Sequence, residues 1–315
     1  MSWVLYLFGS GQALFLGAGM ILAAVAMLPR VKAGWRAAAL AMLARLGLVI
    51  VVLSAVPLSY WLYGLAIGVT VVWLWRGRRR RGEREASASR YVNRGNTDEP
   101  GPIVWLRRAT IVIWLGIIAL ELPHQFAPRL EPLGNPPLWI IGDSVTAGLG
   151  SSEKTWPALL PEAALVHNLA QPGATTGMAL KSQANRLPAE GGLVPIEVGG
   201  NDLLLEDGST GQFERDLDAL LLKVCGSARS LEFTASPSHR TVVMFELPLP
   251  PLCNEYGRIQ RRLADRYGVR LIPKRVFISV LAGGGATLDS IHLSEDGHRK
   301  MAQEVWAIIA PAYNS

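Results

Sequence analysis

The chain reads as an α/β domain built on a mostly parallel sheet and preceded by an α-helical membrane region of about four spans. Three observations carry that reading. From residue 138 onward, short apolar runs alternate with amphipathic stretches, the order that a parallel sheet covered by helices on both faces requires. Before residue 123, apolar stretches nearly free of charge are long enough to cross a bilayer, for which about 20 residues suffice. Between the two regions, Pro123, Pro128, Pro132, Pro136 and Pro137 make a stiff, extended spacer. The resulting divisions are 1–122 for the membrane region, 123–137 for the linker and 138–315 for the α/β domain.

Charge follows the same division. Residues 1–135 hold 15 Lys and Arg against 6 Asp and Glu, net +9, whereas residues 136–315 hold 16 against 19, net −3. The basic excess therefore belongs to the apolar part, where it reads as a membrane topology signal and not as a nucleic-acid surface. Seven of the ten tryptophans lie within the first 114 residues, several near the ends of apolar runs, where amphipathic rings prefer the headgroup level. The two cysteines, Cys225 and Cys253, form no CxxC pattern and the chain contains no HExxH, which argues against a zinc site. Two separate thiols are expected, although an oxidising compartment would permit their pairing.

The first apolar stretch, residues 3–28, lacks a basic leader and a cleavage site and reads as a span, not a removable signal peptide. Pro29-Arg30-Val31-Lys32 ends it. Residues 37–75 are too long for one span, and Pro57 between Ser54 and Ser59 divides them into 37–56 and 58–75. Arg45 falls inside the first of these and is expected to snorkel or face the bundle, in preference to contacting an anionic lipid or partner. The arginines of 76–81 stop the next span, and the polar stretch 82–102 reads as a flexible loop. The fourth span is 103–122, with Arg107 and Arg108 at the interface. Arg30, Lys32 and Arg36 mark one cytoplasmic loop and the basic residues of 76–108 another, while the turn at Pro57 carries none. Four spans then place both the N-terminus and everything after Leu122 outside the cytoplasmic membrane. Anionic lipid is an added partner for the arginine run.

In the α/β domain the expected strands are 138–141, 165–168, 194–198, 241–247 and 269–272. The expected helices are 155–160, 176–186, 212–224, 254–267 and 294–310. Ligands of such sheets sit beyond the carboxyl ends of the strands. Ser144, Gly173 and Asn201 each follow a strand end, so the topology brings them to one edge.

These residues carry a chemistry. A serine hydroxyl becomes nucleophilic when a base takes its proton, and an imidazole is suited to that task. A carboxylate fixes the imidazole tautomer and steadies the imidazolium. Asp289-Ser290-Ile291-His292 sets both groups on one short turn. An oxyanion needs donors aimed at it, for which the backbone N–H groups of Ser144 and Gly173 and the side-chain amide of Asn201 are candidates. No Gly-x-Ser-x-Gly elbow surrounds Ser144, which argues against an α/β-hydrolase.

Gly142-Asp143-Ser144, the block 168–175 with Gly173, Gly199-Gly200-Asn201-Asp202 and Asp289-x-x-His292 appear in that order. The set resembles the SGNH (GDSL) hydrolase superfamily over residues 138–311, closest in style to its lysophospholipase and acyl-thioesterase branch. The resemblance implies a flavodoxin-like three-layer sandwich, with Ser144 as nucleophile, His292 as base, Asp289 as its orienter, and Ser144, Gly173 and Asn201 as the oxyanion hole. It implies no metal and no organic cofactor. The membrane spans depart from the many soluble members of that superfamily.

Other polar residues read as structural. Asp202 starts a helix or supports a turn. His298 is expected on the solvated face of the last helix, and His124, His167 and His239 have no partner pattern. The loops 283–285 and 247–252 are open to two readings each, as rim or lining of an acyl pocket or as plain turns. The function expected is a membrane-anchored serine esterase acting outside the cytoplasmic membrane on an acyl ester, either a lipid or lysophospholipid or an acylated envelope glycan. Transfer of the acyl group to an envelope sugar is the second reading, and a non-catalytic membrane scaffold the third. No nucleic-acid partner is expected.

Overall fold

The computed structural model describes residues 3–31, 34–88, 101–150, 152–161, 164–189, 191–205, 209–226, 240–289 and 291–313, without the side chains of 81–88. Lys32, His239, Ser290 and most of the expected loop 82–102 lie outside the described residues. Two compact units emerge. One is Gly11–Pro123, and the other joins Met1–Ser10 to His124–Ser315.

The first ten residues therefore belong to the α/β unit, which corrects the expectation of one span over 3–28. Helix α1 (Trp3–Gly9) stops before Gly11, whose φ of 83° is left-handed, and α2 (Gln12–Met27) starts anew. A glycine adopts that conformation without the steric cost a β-carbon would bring.

In the helical unit, α2 is followed by α3 (Trp35–Leu53), α4 (Tyr60–Ala88) and α5 (Gly101–Glu121). Leu14, Ala18 and Ile21 bury against Ala44 and Val51, with Trp114 and Ile117 of α5 in the same core. At the α2–α3 crossing, a β-carbon on Gly17 would lie 2.6 Å from the carbonyl oxygen of Gly47, and the reverse holds at 2.6 Å. Small residues allow such backbone approach in apolar surroundings. The indole of Trp114 donates to Thr70 Oγ1 at 3.0 Å, joining α5 to α4. Among the described residues, three stretches are long and apolar enough to cross a membrane: Gln12–Arg30, Trp35–Leu53 and Gly101–Gln125. Four were expected. Helix α4 falls short because Tyr60, Trp61, Tyr63, Trp73 and Trp75 dilute its aliphatic content before Arg76. It also runs on through the arginines to Ala88, where the sequence suggested loop.

The α/β unit is organised by five parallel strands in the order β2-β1-β3-β4-β5. They are β1 (Leu138–Gly142), β2 (Val166–Asn168), β3 (Leu193–Glu197), β4 (Thr241–Phe245) and β5 (Arg270–Ile272). Every residue of the central β3 is buried. Side chains alternate between faces along a strand, so both faces of the sheet are covered. Short helices α6 (Ser144–Ala147) and α7 (Thr176–Met178) follow β1 and β2, and α8 (Thr210–Cys225), α9 (Asn254–Tyr267), α10 (Lys274–Leu281) and α11 (Glu295–Ile309) complete the unit. Leu138, Ile140, Val243, Phe245 and Ile272 of the sheet share a core with Phe277, Val305 and Ile309, and Tyr6 of α1 packs against it.

All five expected strands form. The helices differ in detail. Residues 156–159 make a 3₁₀ turn, and the expected helix 176–186 is α7 followed by a π turn over Ala179–Gln183 and a 3₁₀ turn over Ala184–Arg186. Helix α10 was not anticipated. Its β-branched and aromatic residues mask the helical period, although Val276, Phe277, Ile278, Val280 and Leu281 are all buried.

Candidate active site

The site begins where β1 ends. Gly142 is held on both backbone groups by one side chain: its N–H donates to Gln183 Oε1 at 2.9 Å, and Gln183 Nε2 donates to its carbonyl at 2.9 Å. Gln183 is fully buried in the π turn, a local widening of the helix common at functional sites. A β-carbon on Gly142 would come within 2.7 Å of Thr146 Cβ, so only glycine lets the chain fold back there. Asp143 then caps α6, its Oδ1 accepting from the N–H of Val145 at 2.9 Å. Ser144 is the first residue of that helix and is nearly buried.

Its partner arrives from the far end of the sequence. An antiparallel bridge between Thr287 and Leu293 brackets the turn that carries Asp289 and His292. His292 Nε2 lies 3.1 Å from Ser144 Oγ, and His292 Nδ1 lies 2.6 Å from Asp289 Oδ2. The other oxygen of Asp289 accepts from the backbone N–H groups of Ile291 at 3.1 Å and His292 at 2.9 Å. Those bonds, the backbone N–H of His292 first, hold the Asp289 carboxyl at about 2 although it is exposed. A carboxylate ionised throughout the working range keeps the proton on Nδ1 and leaves Nε2 free to accept from the hydroxyl.

Of the expected oxyanion donors, Ser144 and Asn201 line one cavity. Asn201 Nδ2 donates to the carbonyl of Ala174 at 3.1 Å and to Asp143 Oδ2 at 3.2 Å. Gly173, with a left-handed φ of 72°, makes the turn before Ala174. Asp202 fastens this loop: its carboxyl accepts from the N–H of Thr176 at 3.0 Å and from the Thr176 hydroxyl. Asp202 is thus the support its sequence position suggested.

Sequence reasoning missed a buried carboxyl pair under the nucleophile. Asp143 and Glu197 are 4% and 3% exposed, and Gly142 and Glu197 are register partners of β1 and β3. Burial raises Asp143 to about 6. Burial first, and then the Asp143 charge, raise Glu197 well above the carboxylate range. Thr146 donates to Glu197 Oε2 at 2.8 Å. Asp143 already accepts from Val145 and Asn201, so the shared proton sits on Glu197. The available signal was an acid closing an otherwise apolar strand.

Burial raises both acids on folding, so each contributes stability that is present below about pH 4 and is lost as the pH rises through its folded value, which for Asp143 is about 6. Glu197→Gln keeps an acceptor for Thr146 and gives Asp143 a permanent donor. It is expected to flatten the decline in stability from pH 5 to pH 8, gaining on the order of 2 kcal/mol over the parent at the upper end. Thermal unfolding of both proteins at the two pH values checks this, and equal slopes would refute it.

His298 corrects an expectation. It is 1% exposed, not on a solvated face. Its Nδ1 accepts from the N–H of Trp156 at 3.2 Å, and its Nε2 lies 2.9 Å from Glu153 Oε1. Glu153 in turn accepts from the N–H of Leu149 at 2.7 Å, so the pair ties the segment after α6 to α11. His167 stacks on Trp139 with centroids 3.8 Å apart. Cys225 and Cys253 are free thiols. Among the described residues no cluster of three or more His, Cys, Asp or Glu is arranged to hold a metal ion.

A cavity of 470 Å³ opens from Ser144, Asn201 and His292. Its walls are mainly apolar and include Leu247, Pro248, Leu249, Pro250 and Pro251, so this part of the loop 247–252 is lining, while Leu252 stays exposed.

A family model, the GDSL-like Lipase/Acylhydrolase family, matches residues 140–300. Among solved structures, the psychrotrophic esterase EstA from Pseudoalteromonas sp., inhibited by monoethylphosphonate, is 18% identical with a TM-score of 0.46, covering 57% of this chain and 100% of its own. TesA is 25% identical with a TM-score of 0.45, covering 56% of this chain and 99% of its own. No match was found among curated proteins.

Proposed function

The chain belongs to the GDSL-like lipase/acylhydrolase family, and from that premise we propose a membrane-anchored serine esterase that works through an acyl-enzyme on Ser144. The observation that carries the reading is the chain of contacts from Ser144 Oγ to His292 at 3.1 Å and on to Asp289 at 2.6 Å, opening on an apolar cavity.

The steps follow from the geometry. His292 Nε2 takes the Ser144 proton as Oγ attacks the acyl carbon. The N–H groups of Ser144 and Gly173 and the amide of Asn201 receive the negative oxygen. Asn201 gives up its longer bond, the 3.2 Å one to Asp143, to do so. Collapse expels the alcohol with the proton from His292. Water, deprotonated by the same nitrogen, then releases the acid.

The anchor is the helical unit. Among its described residues, three helices are long and apolar enough to cross a membrane. Arg30, Arg36 and the arginines of 76–81, 107 and 108 mark the cytoplasmic loops, which supports an external catalytic unit. An ester of a lipid fits a catalyst held at the membrane.

A membrane-impermeant fluorophosphonate tests both parts. Intact cells producing the protein are expected to label it on Ser144. Labelling only after lysis would invert the sidedness, and none in either preparation would remove the serine mechanism.

A further inference from the structure

We propose that α1 is a wall of the acyl pocket and that Leu5 and Phe8 set the length of acyl chain accepted. The inference rests on the esterase reading and extends it to the substrate: an ester of a medium or long acyl chain, not an acetyl ester.

Seven residues are too few to hold a helix by themselves, since isolated helices shorter than about 12 residues are marginal in water. Helix α1 is held by packing. Tyr6 packs against the core of the α/β unit. Gly9 is seated so closely on α10 that a β-carbon would lie 2.8 Å from Ile278 Cγ1 and 2.9 Å from its Cδ1. Residues three apart share a helix face, so with Tyr6 and Gly9 turned to the core, Leu5 and Phe8 turn together elsewhere. They turn into the cavity that contains Ser144, Asn201 and His292.

The same space is lined by Phe277, Ile278 and Leu281 of α10, beside which α1 is seated, and by Leu203 and Leu204. Apart from the catalytic groups and their neighbours Asp143 and Glu197, most of the lining side chains are hydrocarbon. At 470 Å³ the cavity falls within the range of pockets that enclose whole small ligands, about 300–1,000 Å³, and is far larger than a methyl group needs. Leu204 and Ile291 line it yet stay 70% and 48% exposed, giving an apolar mouth. With the ester carbonyl at Ser144, the group that fits the remaining walls is an unbranched acyl chain. Each methylene it buries is worth about fourfold in transition-state binding.

The test uses the full chain in phosphatidylcholine nanodiscs, with 4-nitrophenyl acetate and octanoate as substrates and decanoate as a bound probe measured by calorimetry. The parent protein is expected to prefer octanoate by at least about tenfold in kcat/KM. Leu5→Trp and Phe8→Trp, which fill the space, are expected to lower the octanoate-to-acetate ratio and the decanoate affinity by about tenfold. Phe8→Ala is expected to move the optimum toward longer chains. Misfolding cannot produce shifts of opposite sign. Ratios and decanoate affinities within twofold of the parent in all three variants would overturn the assignment. A parent that hydrolyses neither ester yet binds decanoate, with weaker binding in the tryptophan variants, would sink the esterase reading and leave the wall standing.

Discussion

Ser144→Ala is expected to lower kcat for ester hydrolysis by about 10⁴-fold or more while leaving the thermal transition in place. The hydroxyl is the atom that His292 Nε2 approaches at 3.1 Å, and removing one oxygen from the start of α6 disturbs nothing that holds β1. Gly142 remains pinned by Gln183, and Asp143 still caps the helix. Hydroxyl and imidazole act as a unit, so Ser144→Ala combined with His292→Ala should be little worse than either change alone. Purified parent, single and double variants assayed with the same ester check this. Turnover of Ser144→Ala within tenfold of the parent would remove the hydroxyl from the mechanism.

Asp289→Asn is expected to cost a comparable amount, on the order of 10⁴-fold in kcat. The reason is a tautomer and not a lost contact. The backbone N–H groups of Ile291 and His292 hold one side-chain oxygen at residue 289, and in the variant the amide oxygen keeps those bonds. The amide nitrogen then faces His292 Nδ1 and donates to it. The ring proton moves to Nε2, which confronts Ser144 Oγ as a donor and can no longer take its proton. Asp289 in the parent stays ionised down to about pH 2, so activity between pH 5 and 8 should show no limb from this carboxyl. NMR of the His292 ring nitrogens reads the tautomer directly. An unchanged proton on Nδ1 together with lost activity would refute this account.

The strands and the candidate catalytic groups were legible because their signals are local. An apolar run of a few residues ending in Gly142-Asp143-Ser144 states both a strand and the turn after it, and Asp289 and His292 lie on one turn of chain. Helix α10 was illegible for the opposite reason. Its buried valine, isoleucine and phenylalanine residues suit strand and helix alike, and only the neighbours they pack against decide. Glu197, Gln183 and the contacts of His298 were hidden because a polar residue declares no partner in sequence. Gln183 is 41 residues from Gly142, and His298 is 145 from Glu153.

The first ten residues show the same division most sharply. Their hydropathy is that of a membrane span, and composition by itself joins them to α2. Hydropathy measures the preference to leave water, and a bilayer and a protein interior satisfy it equally. Sequence therefore determined that residues 3–9 would be apolar, that arginines would cluster between the apolar stretches, and that a serine, a histidine and an aspartate would stand at the ends of apolar runs and on one turn. Only tertiary packing decided where they pack: Gly9 has no β-carbon to hold it off Ile278, so α1 settles on α10 beside the cavity that holds Ser144.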